Sequence, residues 1–297
     1  MWAGVELGGT RCRCILGTGP ADIRAEEEIP TRDPALTLPA IAEVLQLWRT
    51  RFGAPAALGL ASFGPIDLRR HSPAFGQMGA TPKPGWQGVD LLRFFTARFG
   101  TPVGITTDVI GAALAEGRWG DAQGLADFTY VTVGTGVGVG LIVGGRAVIG
   151  CHHPELGHIR IARLAGDAWP GSCAFHGDCV EGLASGPAIE ARTGMRAEQL
   201  ASNSPVWDTV AHALAQLAQA VVLAVAPVKI IMGGGVLSAQ PHLFPRIRRA
   251  LVTSLHGYLE LQELASGVDR YIVPPALGAR AGSLGALAIA ADTSVAA

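Results

Sequence analysis

Four side chains that favour soft or borderline cations stand near the middle of the sequence: His158, then Cys173, His176 and Cys179 in the pattern C-x-x-H-x-x-C. Two thiolates and two imidazoles close a tetrahedral zinc sphere and leave no position open for water, so a metal held there would be structural. Gly171 and Gly177 interrupt this stretch, and a loop with so little core of its own takes its shape from ligation. A histidine that binds metal through one ring nitrogen presents N–H on the other, so His158 could hold zinc and still donate to a hydroxyl. Glu155 and Glu181 flank the set and could accept from the same diol; by themselves they also fit ordinary surface charges.

Phosphate chemistry has two candidate cradles. Gly8-Gly9-Thr10 and Gly134-Thr135-Gly136 each separate two strand-like runs, and glycine lets backbone N–H groups approach phosphate oxygens with no Cβ in the way. One such turn alone is what any tight hairpin requires. Two of them, one in each half, favour a shared anionic ligand. Neither G-x-x-x-x-G-K-[ST] nor a strand-to-helix G-x-G-x-x-G occurs, so the P-loop and dinucleotide fingerprints are absent. Asp108 follows an apolar run at 103–106 and precedes a helical pattern, which places a carboxylate at the C-terminal end of a strand, where α/β proteins bind ligands. There it could serve as the base for phosphoryl transfer to an alcohol, or as a helix N-cap.

The elements that must position these residues alternate between strand and helix, which predicts an α/β architecture. Residues 2–7 and 11–16 read as a β-hairpin, 36–52 as a helix, 57–61 and 103–106 as strands and 110–119 as a helix. After it, 128–133 and 137–143 repeat the strand, glycine turn, strand order, which predicts a duplicated βββαβα unit. A long helix at 206–225, a strand at 229–232, the glycine triplet Gly233-Gly234-Gly235 and a closing helix at 281–291 complete the chain. The breaker cluster at Gly64 and Pro65 and the proline-stiffened T-P-K-P-G-W run starting at Thr81 predict irregular loops. With 297 residues, two lobes and a cleft are expected, 1–120 and 121–297, divided near Gly120.

Charge excludes several function classes. The 23 basic and 24 acidic residues leave a net charge of −1 with no basic run, so no electrostatic footprint for nucleic acid or an anionic membrane is present. The most apolar stretch, around 217–226, reads as too short to span a bilayer. Met1 and Trp2 lead directly into a strand without a signal-peptide pattern, which predicts a cytoplasmic protein with reduced cysteines. Cys12 and Cys14 then share one buried strand face.

Taken together, E-L-G-G-T at 6–10, T-D-V at 107–109, G-T-G-V-G-V-G from Gly134, E-L-G-H at 155–158, C-x-x-H-x-x-C-x-E from Cys173 and G-G-G-V from Gly233 resemble the ROK family of sugar kinases across nearly the whole chain. The segments A-S-F-G-P-I-D from Ala61, T-P-K-P-G-W and E-G-L-A-S-G-P-A-I-E from Glu181 resemble its bacterial fructokinase branch. The resemblance implies the actin-like ATPase fold, two RNase H-like lobes around a central cleft, usually in a homodimer, with ATP, Mg²⁺ and a structural Zn²⁺. It implies Asp108 as base, with Gly64, Pro65, Thr81, Glu155, His158 and Glu181 around the sugar. Gly8, Gly9, Thr10, Arg11, Gly134, Thr135, Gly136, Pro187 and Gly233 to Gly235 would contact nucleotide, and His158, Cys173, His176 and Cys179 would hold zinc. Fructose is the implied substrate; another hexose such as mannose or glucose, or sugar binding without turnover, is the alternative. Related repressors carry a DNA-binding segment ahead of the first strand, for which this chain has no room. Three positions depart from the family pattern: Glu6 replaces an Asp, Arg11 a Lys and Ile110 an Asn that would stand near the base.

Overall fold

The computed structural model describes residues 1–259, 262–265 and 267–296. The chain falls into two units, Met1–Gly124 with Val148–His153 and Ala276–Ala297, and Leu125–Ala147 with Pro154–Pro275. The first holds β1 (Trp2–Leu7), β2 (Arg11–Gly19), β3 (Asp22–Pro30), α1 (Pro34–Phe52), β4 (Leu58–Ser62), α2 (Leu91–Phe99), β5 (Val103–Thr107) and α3 (Asp108–Trp119). Its sheet runs β3-β2-β1-β4-β5, antiparallel across β1–β2 and β2–β3 and parallel across β1–β4 and β4–β5. β4 is buried throughout, as a parallel strand covered on both faces must be.

The closing helix, Ala281–Ala296, packs on this first sheet. The expected division near Gly120 carried that helix with the second lobe, and the structure differs for a steric reason. A Cβ on Gly59 would lie 2.0 Å from the Ala286 carbonyl oxygen, and one on Gly285 would lie 2.4 Å from the Gly111 carbonyl carbon. Glycine at 59 and 285 therefore lets the helix lie against β4 and α3 at backbone contact. Ala61, Ala286 and Ile289 fill that contact, and Ile15, Ala115, Leu284 and Leu287 fill the next layer.

The second unit contains β6 (Phe128–Val133), β7 (Val137–Val143), β8 (Arg146–Ala147), a 3₁₀ turn at Leu156–His158, α4 (Val180–Ala184), α5 (Gly186–Thr193), α6 (Val206–Val225), β9 (Lys229–Gly233), α7 (Gly235–Ala239), α8 (Leu243–Leu255), α9 (Gln262–Ala265), α10 (Val268–Tyr271) and β10 (Ile272–Val273). Its sheet runs β10-β9-β6-β7-β8, with β6–β7 and β7–β8 antiparallel and β6–β9 and β9–β10 parallel. Strand for strand, it repeats the connectivity of the first. The duplication read from the two glycine turns is a repeat of whole sheets.

α6 corrects one expectation. Among the described residues it is the one helix with the length and hydropathy to span a bilayer, 20 residues at mean hydropathy 1.4, because the apolar run begins at Val206 rather than near Leu217. Its Trp207, Val210, Leu214, Leu217 and Val221 are buried, as in a core helix.

Candidate active site and metal centre

In the first unit, strand register gathers the predicted residues. Leu7 of β1 pairs with Ser62 of β4, and Ser62 pairs with Thr107 of β5, so the last residues of three adjacent parallel strands form one row. The next residues along each strand are Gly8, Phe63 and Asp108, and the row thus delivers the first glycine turn, the Gly64-Pro65 loop and the carboxylate to one sheet edge. Gly8 N–H closes the turn on the Arg11 carbonyl at 3.0 Å, and Thr31 fastens it with its hydroxyl on the Gly8 carbonyl, 2.7 Å, and its N–H on the Thr10 carbonyl, 3.0 Å.

Asp108 is not the helix cap. Thr107 takes that role, its hydroxyl accepting the Ile110 N–H at 3.2 Å, while Asp108 is the first residue of α3, half-buried, with Oδ1 accepting the Val109 N–H at 2.8 Å. The threonine removes the N-cap reading of Asp108. Ile110, at the position of the missing Asn, is buried at 2% exposure. Next to this edge, burial pushes the Glu6 carboxyl up to about 7; Arg13, 3.8 Å away, opposes the shift and the Asp108 charge adds to it. Glu6 Oε2 is buried without a hydrogen-bond partner. Arg11 lies on the outer strand pair, its guanidinium on Glu28 at 3.0 Å and largely exposed.

Two contributors escaped the sequence reading. His153 is buried, and its Nε2 accepts the Ile66 N–H at 3.2 Å, so an imidazole far along the chain holds the Gly64-Pro65 loop. Trp86 is fully buried, donates from its indole to the Arg32 carbonyl at 2.9 Å, and meets Phe63 edge-on with centroids 5.1 Å apart. Thr81 begins the loop that this tryptophan anchors.

The second unit assembles its glycines differently. Thr132 of β6 pairs with Gly233 of β9, which sets the 134–136 turn beside the 233–235 triplet. Gly234 has φ 96°, and a Cβ there would lie 2.4 Å from the Val133 carbonyl oxygen, so only glycine fits. Gly186 N–H donates to the Gly134 carbonyl at 2.8 Å and brings the start of α5, with Pro187 in its first turn and Ser185 as its cap, to the same place. Three glycine-bearing segments thus meet at one place.

Glu181 links the second glycine turn to the ligand set. Its Oε2 accepts the Val137 N–H at 3.0 Å, and its Oε1 lies 3.9 Å from His158 Nε2. Glu155, exposed, precedes the 3₁₀ turn that carries His158. That turn lies directly on β7, since a Cβ on Gly157 would come within 1.8 Å of the Val137 carbonyl oxygen. The ligand atoms of His158, Cys173, His176 and Cys179 all lie within 4.8 Å of one another. Cys173 Sγ is 3.6 Å from His158 Nδ1 and 3.7 Å from His176 Nδ1, and Cys179 Sγ is 3.7 Å from His158 Nδ1. Zinc bonds of about 2.3 Å to sulfur and about 2.0 Å to nitrogen, at the tetrahedral angle, give S···N edges of about 3.6 Å. The four donors therefore fit a zinc ion. Burial, together with neighbouring Cys173, pushes the Cys179 thiol up to about 11, a penalty that a cation at the centre of the set would reverse. His158 turns Nδ1 toward the set and leaves Nε2 on the Glu181 side.

Comparison with known proteins agrees with this geometry. The ROK family model matches residues 2–293. A protein of Bacillus subtilis (strain 168) is 41% identical over 290 residues, 98% of this chain and 95% of that one. A fructokinase of Pediococcus pentosaceus is 38% identical over 286 residues, 96% of each chain. Among solved structures, the ROK hexokinase from Thermus thermophilus superposes with a TM-score of 0.79 at 27% identity, covering 99% of both chains.

Proposed function

The chain belongs to the ROK family, and from that premise we propose that it is a fructokinase, which moves the γ-phosphoryl group of ATP to the 6-hydroxyl of fructose. The observation that carries the chemistry is Asp108, relieved of helix capping by Thr107 and set on the same edge of the first sheet as a glycine turn. Its carboxylate orients the sugar hydroxyl and takes its proton as the oxygen bonds to phosphorus. The bond from phosphorus to the ADP oxygen breaks, and ADP leaves with that electron pair. Most of the barrier falls through positioning and charge neutralisation rather than through proton removal.

Glu155, Glu181 and the Nε2 side of His158 hold sugar hydroxyls, with the Gly64-Pro65 and Thr81 loops as the wall that reads ring shape. The glycines at 8–9, 134, 136 and 233–235, with Thr10, Thr135 and Pro187, take the nucleotide. Arg11 belongs to the same set, since its exposed pair with Glu28 is weak enough to yield to a phosphate. Magnesium would neutralise phosphoryl charge, and the carboxylates near the turn that could meet it are Asp108 and Glu6, whose buried Oε2 accepts no hydrogen bond and faces Arg13 at 3.8 Å. Zinc fits His158, Cys173, His176 and Cys179 and would fix the loop that bears the sugar ligands. A homodimer completes the reading, and sedimentation velocity tests it.

Asp108→Asn is the direct test of the mechanism. Asparagine keeps the shape and loses the base, so kcat should fall by about a hundredfold or more while fructose and ATP still bind. A variant with kcat near the wild-type value would remove Asp108 from the chemistry.

A further inference from the structure

Lys83 stands in the T-P-K-P-G-W loop, where the sequence predicts only a wall for sugar. Its ammonium instead donates a hydrogen bond to the carbonyl of Gly9, at the tip of the first glycine turn. No carboxylate among the described residues pairs with it. One neutral acceptor satisfies one of three N–H donors and none of the charge. A half-buried cation in that condition calls for an anionic partner.

The loop does not hold this lysine loosely. Thr81 Oγ1 accepts the Lys83 N–H at 3.3 Å, prolines stand on both sides, and Trp86 is sealed beneath with its indole on the Arg32 carbonyl. Thr31, the neighbour of Arg32, ties the glycine turn through both Gly8 and Thr10. Loop and turn thus share one anchor, and the ammonium is fixed relative to backbone that can receive phosphate. Arg11, the basic residue that directly follows the turn, is paired with Glu28 on the outer strands.

We propose that Lys83 is a catalytic residue of the phosphoryl transfer: its ammonium bonds the phosphoryl group in transit and then the 6-phosphate of the product, while the sugar loop that carries it encloses the hexose. The inference rests on the kinase reading and adds to it a charge that discriminates phosphorylated product from free sugar. Lysine serves here as a point charge that can follow an oxygen from nucleotide to sugar.

Lys83→Met and Lys83→Gln, titrated by calorimetry with fructose and with fructose 6-phosphate and assayed for kcat, test it. Both variants should bind fructose within about twofold of wild type, yet lose ten- to hundredfold in fructose 6-phosphate affinity and a comparable factor in kcat, the range of one charge-assisted bond. Glutamine can still donate to the Gly9 carbonyl but carries no charge. A Gln variant that matches wild type would assign Lys83 to holding the turn and overturn the proposal, as would equal weakening toward both ligands. Wild type that releases no ADP with any hexose sinks the functional reading and this inference with it. A working wild type with unchanged variants sinks this inference alone.

Discussion

The two glycine-turn regions reach similar ends by different means. Around Gly8 to Thr10, a hydrogen-bonded row across β1, β4 and β5 delivers the turn, the Gly64-Pro65 loop and Asp108 to one edge, so the sheet itself places these residues. Around Gly134 to Gly136, register sets the turn beside the 233–235 triplet, but the cysteine- and histidine-bearing loop at 159–179 holds no helix or strand. There, Gly157 and Gly234 permit backbone contact, Glu181 bridges turn to loop, and two cysteines and two histidines converge on one point. A site placed by register inherits the stability of the sheet. A site placed by ligation should depend on its metal.

The largest effect should come from removing that metal. Protein purified without chelators should hold about one zinc per chain, and a strong chelator should lower Tm and release protection from hydrogen exchange first across 155–181, ahead of the strands of the first sheet. Loss of protection in both regions together would erase the distinction; protein with no zinc at all would remove its cause.

A smaller effect tests the register-built side. Ile110 is buried in α3 at the position of the family's Asn, so Ile110→Asn places an amide in an apolar setting and should cost about 1–3 kcal/mol of stability. It should not raise kcat, since position 110 faces the core. A gain in turnover, measured beside denaturant melts, would show instead that the departure limits catalysis.

The smallest effect is a pH dependence. Burial raises Glu6 from 4.5 to about 7, so the folded protein favours the neutral acid. Its contribution to stability is full below about 4.5 and is lost as pH rises through about 7. Glu6→Gln, neutral throughout, should therefore melt a few degrees above wild type at pH 8 in magnesium-free buffer, with the gap closing toward pH 4.5. An equal gap at both pH values would contradict the shift.

Much of this was legible in the sequence because strong local patterns coincide with function. Apolar runs gave β1, β4, β5, β6, β7 and β9, and the C-x-x-H-x-x-C spacing with His158 pointed to a cluster that the fold brings together in a form able to hold a metal, since ligand chemistry restricts residue types. β3, with the acidic D-I-R-A-E-E-E-I-P, carries no apolar alternation, because an edge strand with a solvated face needs little. The partner of the closing helix was hidden as well. Gly59 fits against Ala286 and Gly285 against Gly111, each across more than half the chain, a match that no window reveals. Thr107 rather than Asp108 caps α3, a choice that both residue types allow and only geometry decides. The ammonium of Lys83 and the ring of His153 act on backbone distant in sequence, and isolated residues carry no period.

One measurement bears on the whole account: ADP release by the wild-type protein at saturating ATP and Mg²⁺ with fructose, mannose, glucose, N-acetylmannosamine or no sugar. Release should depend on sugar, with the highest kcat/KM for fructose and fructose 6-phosphate as product. Release indifferent to sugar, or glucose outcompeting equimolar fructose, would contradict it.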